Sequence, residues 1–255
     1  MRYGSLFSGA GLGDFGFEMA GFEVAWQVEN NEYCQKILDL RWPNVKKYKN
    51  IKEINPEQLE RVDLITGGFP CQPFSNAGKR NGENDNRNLW PEMLRIIRSV
   101  KPKFVVAENV FGIIDLYLDR VLADLENEGY TCWPFVFSTA SFGGPIPRQR
   151  LWIVAISNSS GLLCGEIGKY ADENRHNALC NTGENSIGLE GMFWPNSEYR
   201  KCPDGRKRMF KPGIVGVVDG DSNTMDRLKA LGNGQTPCST YAIGKIISEL
   251  SAERE

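Results

Sequence analysis

The sequence lacks long hydrophobic runs, and the short apolar segment near its start is soon interrupted by glycines. A secretion signal or a membrane-spanning helix needs a longer apolar stretch, so we expect neither, and a cytosolic protein is the default expectation. With 41% hydrophobic and 24% charged residues, the composition is that of an ordinary globular protein. Its 255 residues are enough for one large domain together with a small one.

Histidine is almost missing, with a single residue, and none of the seven cysteines forms a C-x-x-C pair. An odd number of scattered cysteines without a secretion signal favours reduced thiols over a disulfide framework. A zinc site could be drawn from Cys164, His176, Cys180 and Cys202, but their loose spacing makes this the less favoured interpretation. No metal is therefore expected.

An overall excess of positive charge is also missing, because the formal net charge is -2. The basic residues are nevertheless concentrated between Arg200 and Lys211, where six of them accompany one aspartate. Such a patch could contact nucleic-acid phosphates while the rest of the surface stays acidic. A solvated charged turn would give the same pattern.

Apolar β-like runs alternate with helical patterns over the first 157 residues. This alternation predicts an α/β fold with a doubly wound, mostly parallel sheet, whose ligands bind at the carboxyl ends of the strands. The predicted strands cover 4–7, 23–27, 63–67, 104–107, 133–139 and 151–156, and the predicted helices cover 11–20, 32–40, 89–100 and 115–128.

The character of the sequence changes near residue 158. The stretch 158–226 is rich in Asn, Gly, Glu and basic residues and has weak periodicity, which indicates a small, loop-rich inserted domain. The regular pattern returns in 227–255, with a predicted helix at 239–251. We therefore predict that the chain leaves the main domain, 1–157, and comes back to it at the end.

Glycines crowd the turn after the first predicted strand, where a backbone must approach a bound ligand closely. Glu29 follows the second strand, at the place where an acid would bind ribose hydroxyls. Together they indicate an adenosine-containing cofactor. Gly11, Gly13 and Gly16 also fit G-x-G-x-x-G, which read literally would predict a dinucleotide site, and glycines needed only for packing are a further alternative.

The third predicted strand leads into a loop that holds Cys71 between Pro70 and Pro73. A cysteine at the mouth of a parallel sheet is placed to react, whereas a structural cysteine usually lies in an apolar face. The polar segment 76–88, with its lysine and arginines, could close over a polyanion. A rigid loop that happens to contain cysteine, followed by a mobile surface loop, is the alternative.

Three charged residues are expected at the same edge of the sheet. Glu108 follows three apolar strand residues, and partial burial there would raise its pKa and let it hold a proton. Arg148 and Arg150 lie on one side of an extended segment, where their guanidinium groups suit a phosphate or a base carbonyl. A helix-capping acid and a pair of surface charges are the alternatives.

Taken in order, these motifs resemble the cytosine-C5 DNA methyltransferase family. The series consists of the Phe7-Ser8-Gly9-Ala10-Gly11 loop, Gly68-Phe69-Pro70-Cys71-Gln72-Pro73-Phe74-Ser75, Glu108-Asn109-Val110, Pro147-Arg148-Gln149-Arg150 and Gly232-Asn233-Gly234-Gln235-Thr236-Pro237. The resemblance covers about 2–157 and 227–250. It implies a Rossmann-like methyltransferase sheet, with 158–226 as the target-recognition region.

The resemblance also implies site residues. It makes Cys71 the nucleophile that attacks C6 of a flipped-out cytosine, Glu108 the acid at N3, Arg150 the partner of O2 and Arg148 a supporting residue. S-adenosylmethionine would be held by Phe7, Ser8, Gly9, Gly11, Leu12, Glu29, Asn30, Asn50, Ile51, Pro70, Leu89, Asn233 and Gly234. Double-stranded DNA would be contacted by Ser75, Lys79, Arg80, Arg87, Arg206, Lys207 and Arg208. We expect a monomer.

The chain departs from the family pattern at two positions: Ile146 replaces a usual glutamine, and Asn50 replaces a frequent acidic cofactor contact. The motif before the closing one is not clear. Three alternatives remain open: a methyltransferase of cytosine in transfer RNA, a non-catalytic relative that binds nucleic acid, and a nicotinamide-dependent oxidoreductase. The basic segment 200–211 does not distinguish RNA from DNA, so the first alternative stays open. The oxidoreductase alternative leaves the cysteine loop unexplained.

Overall fold

The chain is described by a computed structural model for residues 1–70, 88–139, 148–160 and 232–252, for positions 226 and 230, and for the backbone of 199–201 and 207–209. Cys71 and the other predicted residues between 71 and 87 lie outside these ranges, as do Ile146, Arg206 and the four residues of the zinc alternative. Lys207 and Arg208 are described only as backbone. Among the described residues, no helix is long and apolar enough to cross a membrane.

Seven strands form one sheet in the order β3-β2-β1-β4-β5-β7-β6. Strand β7 runs antiparallel to both of its neighbours, and the other six strands run in one direction. The strands are β1 (Arg2–Leu6), β2 (Glu23–Val28), β3 (Lys46–Tyr48), β4 (Leu64–Gly68), β5 (Phe104–Val110), β6 (Tyr130–Ser138) and β7 (Gln149–Ser157). A separate antiparallel pair joins β8 (Tyr199–Lys201) to β9 (Lys207–Met209).

Helices cover both faces of the sheet and create two apolar cores. On one face, α3 (Trp90–Val100) and α4 (Ile114–Asn127) pack on side chains such as Val105 and Ala107 of β5. The other face is covered by α1 (Leu12–Met19), α2 (Glu32–Arg41) and α5 (Pro237–Ala252), against Phe104 and Val106. Alternate residues of a buried strand thus enter opposite cores, so the predicted doubly wound α/β architecture is confirmed.

The final helix packs directly on α1. A Cβ on Gly16 would lie 2.0 Å from Thr240 Oγ1, and one on Gly244 would lie 2.7 Å from Ala20 Cβ. Both positions therefore need glycine for the two helices to approach this closely. This contact brings the segment before α5, with Gly234 and Gln235, to the carboxyl end of β1.

Several predicted elements need correction. Strand β3 was missed because its three residues, Lys46-Lys47-Tyr48, carry no apolar alternation. Strand β6 begins at Tyr130, three residues earlier than predicted, because it lies at the sheet edge and its polar start gives little signal. Glu108 was expected after β5 but lies within it, since pairing with β7 extends β5 to Val110.

Candidate active site

The strand order reverses between β1 and β4, so the loops after these two strands diverge and leave a crevice at their carboxyl ends. The loop after β1 contains the crowded glycines, and β4 leads to Pro70 and Cys71. Glu108 of β5 pairs with Gly68 of β4 in the parallel ladder. The topology therefore brings the glycine loop, the end of β4 and Glu108 to one edge of the sheet.

The glycine loop has an unusual backbone. Phe7, Gly9 and Gly11 all have positive φ angles, of 56°, 56° and 77°. A Cβ on Gly11 would lie 2.3 Å from the Trp42 ring, so glycine is needed there both for conformation and for space. The loop turns sharply into α1, for which Gly11 is the N-cap residue.

Glu29, which follows β2, links the glycine loop by hydrogen bonds to the segment between β2 and α2. Its Oε2 accepts a hydrogen bond from the Gly9 N–H at 2.7 Å, and its Oε1 accepts one from the Asn31 N–H at 2.8 Å. Gln35 donates to its backbone carbonyl at 2.6 Å. Each carboxylate oxygen can still accept a second hydrogen bond, so Glu29 remains available to a ligand hydroxyl.

A cleft of about 410 Å³ lies in front of this carboxylate. Seven of the thirteen residues predicted to hold a cofactor line it: Phe7, Glu29, Asn30, Asn50, Ile51, Pro70 and Leu89. Val28, Lys49 and Lys52 line it too and were missed, because lysines beside a nucleoside site follow no sequence pattern. Ser8, Gly9, Gly11 and Leu12 lie on the adjoining loop and helix start, and Asn233 and Gly234 lie on the segment before α5.

Asn50 contributes shape rather than free polar groups to the cleft. Its Oδ1 accepts a hydrogen bond from the Lys52 N–H at 3.1 Å and caps the 3₁₀ turn Ile51–Glu53, while its Nδ2 donates to Glu53 at 2.6 Å. A side chain engaged in this cap is poorly placed to replace an acidic ligand contact. The Ile51 side chain is 4% exposed and forms part of the apolar core under the cleft.

The wall of the cleft around Ile51 is held from behind by Arg95 of α3. Its guanidinium donates to the carbonyl oxygens of Ile51 at 2.8 Å and Ile54 at 2.9 Å, and its Nε donates to Glu92 at 2.8 Å. A planar fork that binds two carbonyls and a carboxylate fixes the backbone it contacts. The sequence carries no signal for this role of Arg95, because contacts made across 41 and 44 positions leave no local pattern.

On the other side of β4, Glu108 is 6% exposed and forms an ion pair with Arg150, whose Nε lies 3.0 Å from Glu108 Oε1. Burial raises the pKa of Glu108 to about 7, although Arg150 and Arg148 both act in the opposite direction. A carboxyl with this pKa exists in both protonation states near neutral pH, so it can give and take a proton.

Arg148 occupies a different place from Arg150. Its Nη2 donates to the Gly234 carbonyl at 2.9 Å, which connects β7 with the segment before α5. Burial lowers the pKa of Arg148, the nearby Arg150 adds to this effect, and Glu108 opposes it. An arginine remains charged even so, and Arg148 is a second positive charge near Glu108 besides Arg150.

Asn109 positions the chain that leads toward Cys71. Its Nδ2 donates to the buried Phe69 carbonyl at 3.0 Å, and its Oδ1 accepts from the Val110 N–H at 2.8 Å. The Phe69 ring lies 5.1 Å from the Trp90 ring, measured between centroids. Phe69 is therefore held from both sides, two residues before Cys71.

The predicted catalytic and DNA-contacting residues are thus described unevenly. Glu108, Arg148 and Arg150 lie together, but Cys71, Ser75, Lys79, Arg80, Arg87 and Arg206 are outside the described residues. Lys207 and Arg208 belong to β9, where they pair in register with Lys201 and Arg200. Within the described part of the chain, no group of three or more His, Cys, Asp or Glu residues could hold a metal ion.

Comparison with known proteins gives consistent results. The family model for C-5 cytosine-specific DNA methylase matches residues 1–186. The chain is 35% identical over 216 residues to the type II methyltransferase M.NgoFVII of Neisseria gonorrhoeae, covering 81% of this chain and 58% of that protein. It is 33% identical over 219 residues to M.FnuDI of Fusobacterium nucleatum, covering 78% and 63%. The chain therefore spans about three fifths of the length of these curated relatives.

A solved structure gives the same fold. Spodoptera frugiperda DNMT2, crystallised as a triple mutant, superposes with a TM-score of 0.62 over 97% of this chain and 99% of that one. The sequence identity is 15%, so the likeness concerns the fold alone.

Proposed function

The chain belongs to the C-5 cytosine-specific DNA methylase family, and on that premise we propose that it transfers a methyl group from S-adenosylmethionine to C5 of cytosine in double-stranded DNA. The observation that carries the proposal is the position of Glu108. It is a buried carboxyl with a pKa of about 7, held by Arg150, next to the strand that leads to Cys71. A proton donor is thus available where the nucleophile loop begins.

The cleft beside β1 fits the proposed cofactor. Its volume of about 410 Å³ lies within the range of small-molecule sites, which is roughly 300–1,000 Å³. Apolar side chains of Phe7, Ile51 and Leu89 offer surfaces for an adenine ring, and the Glu29 carboxylate can accept hydrogen bonds from ribose hydroxyls. When bound, S-adenosylmethionine supplies an electrophilic methyl group on a sulfonium.

The proposed chemistry begins at Cys71, because C5 of cytosine is a poor nucleophile until a thiolate has added to C6. Glu108 gives its proton to N3 as the thiolate adds, which stabilises the charge that develops in the ring. Arg150 donates to the cytosine O2, and Arg148 keeps the neighbouring segment in place through Gly234. After methylation, a water molecule takes the C5 proton, the Cys71 thiolate is eliminated and N3 returns its proton to Glu108, which restores the aromatic ring and releases 5-methylcytosine.

The substrate of this reaction must be flipped out of the duplex, because C6 is not accessible inside the base stack. We propose that the inserted region 158–226 recognises the DNA and that Arg206, Lys207 and Arg208 contact phosphates. The β8–β9 ladder pairs Arg200 with Arg208 and Lys201 with Lys207 in register, and this concentration of basic residues favours an anionic partner. We further propose that one monomer performs the reaction.

Duplex DNA containing 5-fluorocytosine in place of cytosine tests the reaction directly. Fluorine cannot leave C5 as a cation after methylation, so Cys71 should remain covalently attached to the DNA, and only when S-adenosylmethionine is present. The adduct should survive denaturation and map to Cys71 by peptide analysis, and Cys71→Ser should abolish it, because a hydroxyl is far less nucleophilic.

The control is transfer RNA that contains the same analogue. Trapping of RNA but not DNA would overturn the proposed substrate. An adduct on another cysteine would overturn the assignment of Cys71, and methylation of ordinary DNA without any adduct would overturn the covalent mechanism.

A further inference from the structure

The side chain of Gln235 lies between two glycines at the active edge of the sheet. A Cβ on Gly13 would lie 2.1 Å from Gln235 Oε1, and one on Gly68 would lie 3.7 Å from Gln235 Nε2. Gly13 lies in the first turn of α1, directly after the glycine loop, and Gly68 ends the strand that leads to Cys71. A side chain at Gly13 would therefore collide with Gln235, whereas a Cβ at Gly68 would only be in van der Waals contact with it.

The backbone on which Gln235 sits is fixed by its neighbour. The Gly234 carbonyl accepts the hydrogen bond from Arg148, and the Gly234 N–H donates to the Ala230 carbonyl at 3.1 Å. A Cβ on Gly234 would lie 2.7 Å from Leu12 Cδ1, so this residue is also enclosed by the start of α1. The side chain of Gln235 therefore has little freedom to turn away from Gly13 and Gly68.

The amide of Gln235 has an unused donor. Its Nε2 is buried and has no hydrogen-bond partner among the described residues. The Cβ position of Gly68 that lies 3.7 Å from this nitrogen lies 2.8 Å from Glu108 Oε2. The other oxygen of that carboxyl, Oε1, is the one paired with Arg150. A buried donor and an acceptor oxygen thus lie beside the same glycine, without a hydrogen bond between them.

We propose that Gln235 is a positioning residue for Glu108, and that its Nε2 donates a hydrogen bond to Glu108 Oε2 when that carboxyl loses its proton to the base. The inference rests on the proposed methyl transfer. It goes further in giving the segment before α5 a part in the proton transfer, separate from any contact that Asn233 and Gly234 make with the cofactor.

The chemical consequence concerns the ionised form of Glu108. Once the proton has passed to N3, the carboxylate carries a charge in a buried site, where each hydrogen-bond donor stabilises it more than in water. Arg150 would hold Oε1 and Gln235 would hold Oε2, so both oxygens stay in one orientation. Because a donor to the charged form lowers the pKa of a carboxyl, loss of Gln235 should raise the pKa of Glu108 further.

The test compares Gln235→Met, which keeps the size but removes the donor, with Gln235→Glu, which places a second carboxyl beside Glu108. We expect kcat to fall by about tenfold in Gln235→Met, with KM for DNA unchanged, because only a contact strengthened during reaction is lost. If activity requires protonated Glu108, the alkaline limb of the kcat profile should move up by about one pH unit in both variants.

Gln27→Met is the matched control, because Gln27 is another buried glutamine whose Nε2 donates to Asp14, away from Glu108. It should leave the alkaline limb where it is. A fall in kcat without a shift of the limb in Gln235→Met would reduce Gln235 to a packing role and overturn the proposal, as would an unchanged rate.

A second measurement separates this inference from the proposed function. The free energy of unfolding of Gln235→Met should continue to fall to a higher pH than that of wild type, because the pKa of Glu108 is higher. This difference should vanish when Glu108→Gln is also present. If wild type methylates no DNA but the coupling is found, the contact stands and the proposed function fails. If methylation is found without the coupling, the function stands and the contact is wrong.

Discussion

The two sides of the crevice at the carboxyl edge of the sheet use a glutamate in opposite ways. Glu29, on the β2 side, is partly exposed and its oxygens accept hydrogen bonds from two backbone N–H groups. Glu108, on the β5 side, is 6% exposed and is held by an arginine. Backbone donors keep Glu29 in place as an acceptor, whereas burial prepares Glu108 to change its protonation state.

The surroundings of the two acids also differ: those of Glu29 suit the binding of a ligand, and those of Glu108 suit a change of protonation state. The side near Glu29 is a cleft of about 410 Å³ with apolar walls and a loop of positive φ angles, which is suited to holding a ligand by shape. The side near Glu108 instead gathers the charged groups of Arg148 and Arg150 around a buried carboxyl. Under the proposed function, cofactor binding and proton transfer are thus separated by strand β4, with Cys71 following it.

The strongest test of this division is Glu108→Gln, which should lower kcat by about 10²- to 10³-fold. Glutamine can still accept a hydrogen bond but cannot give a proton to N3. The affinity for S-adenosylmethionine, measured by isothermal titration, should stay within about twofold of wild type, because the cleft lies across β4. Near-normal turnover would remove Glu108 from the mechanism, and a large loss of cofactor affinity would break the division.

The converse test is Glu29→Gln, which should weaken cofactor affinity by about tenfold and leave kcat at saturating cofactor nearly unchanged. The amide removes the charge from the hydrogen bonds to the Gly9 N–H and to the ribose. Glu32→Gln, the same change three residues further along at an exposed helix position, is the control and should bind cofactor normally. A kcat loss in Glu29→Gln equal to that of Glu108→Gln would mean that the two sides do not act separately.

The cleft side of the site was largely predictable from the sequence, and the reason is that it depends on local signals. The glycine loop needs positive φ at Gly9 and Gly11, and an acid directly after β2 must lie at the same edge. Seven predicted residues do line one cleft, although their binding of a cofactor stays a prediction. Lys49 and Lys52 were not foreseen, although Asn50 and Ile51 between them were, because lysines beside a nucleoside site follow no sequence pattern.

The charged side depends on contacts between distant segments, which periodicity does not encode. The hydrogen bond from Arg148 to Gly234 joins residues 86 positions apart, and Gln235 reaches Gly68 across a longer separation. Nor could an apolar run show that β7 is antiparallel, because alternation has the same form in either direction. Motif resemblance brought Glu108, Arg148 and Arg150 together, but the partner of each required the fold.

The smallest expected effect concerns stability and compares Glu108 with Asp14, a buried carboxyl of α1 that accepts a hydrogen bond from Gln27. Burial raises the pKa of Glu108 from 4.5 to about 7 and that of Asp14 from 3.8 to about 6. In each case the folded protein binds more protons than the unfolded chain between the two values. The free energy of unfolding therefore falls as pH rises through that window and is constant above it.

Glu108→Gln should abolish the fall between pH 4.5 and 7, and Asp14→Asn the one between pH 3.8 and 6. Since each unit of pKa shift corresponds to about 1.4 kcal/mol at most, we expect Glu108→Gln to unfold at a temperature roughly 5 °C higher than wild type at pH 8, with no difference near pH 4. Of these two carboxyls, only Glu108 still titrates between pH 6 and 7, so scanning calorimetry in that interval separates them. If Glu108→Gln were no more stable than wild type at pH 8, the carboxyl would carry no desolvation penalty, because Arg150 would fully compensate it. The β5 side would then hold its acid ionised, as an acceptor like Glu29, and the contrast between the two sides would disappear.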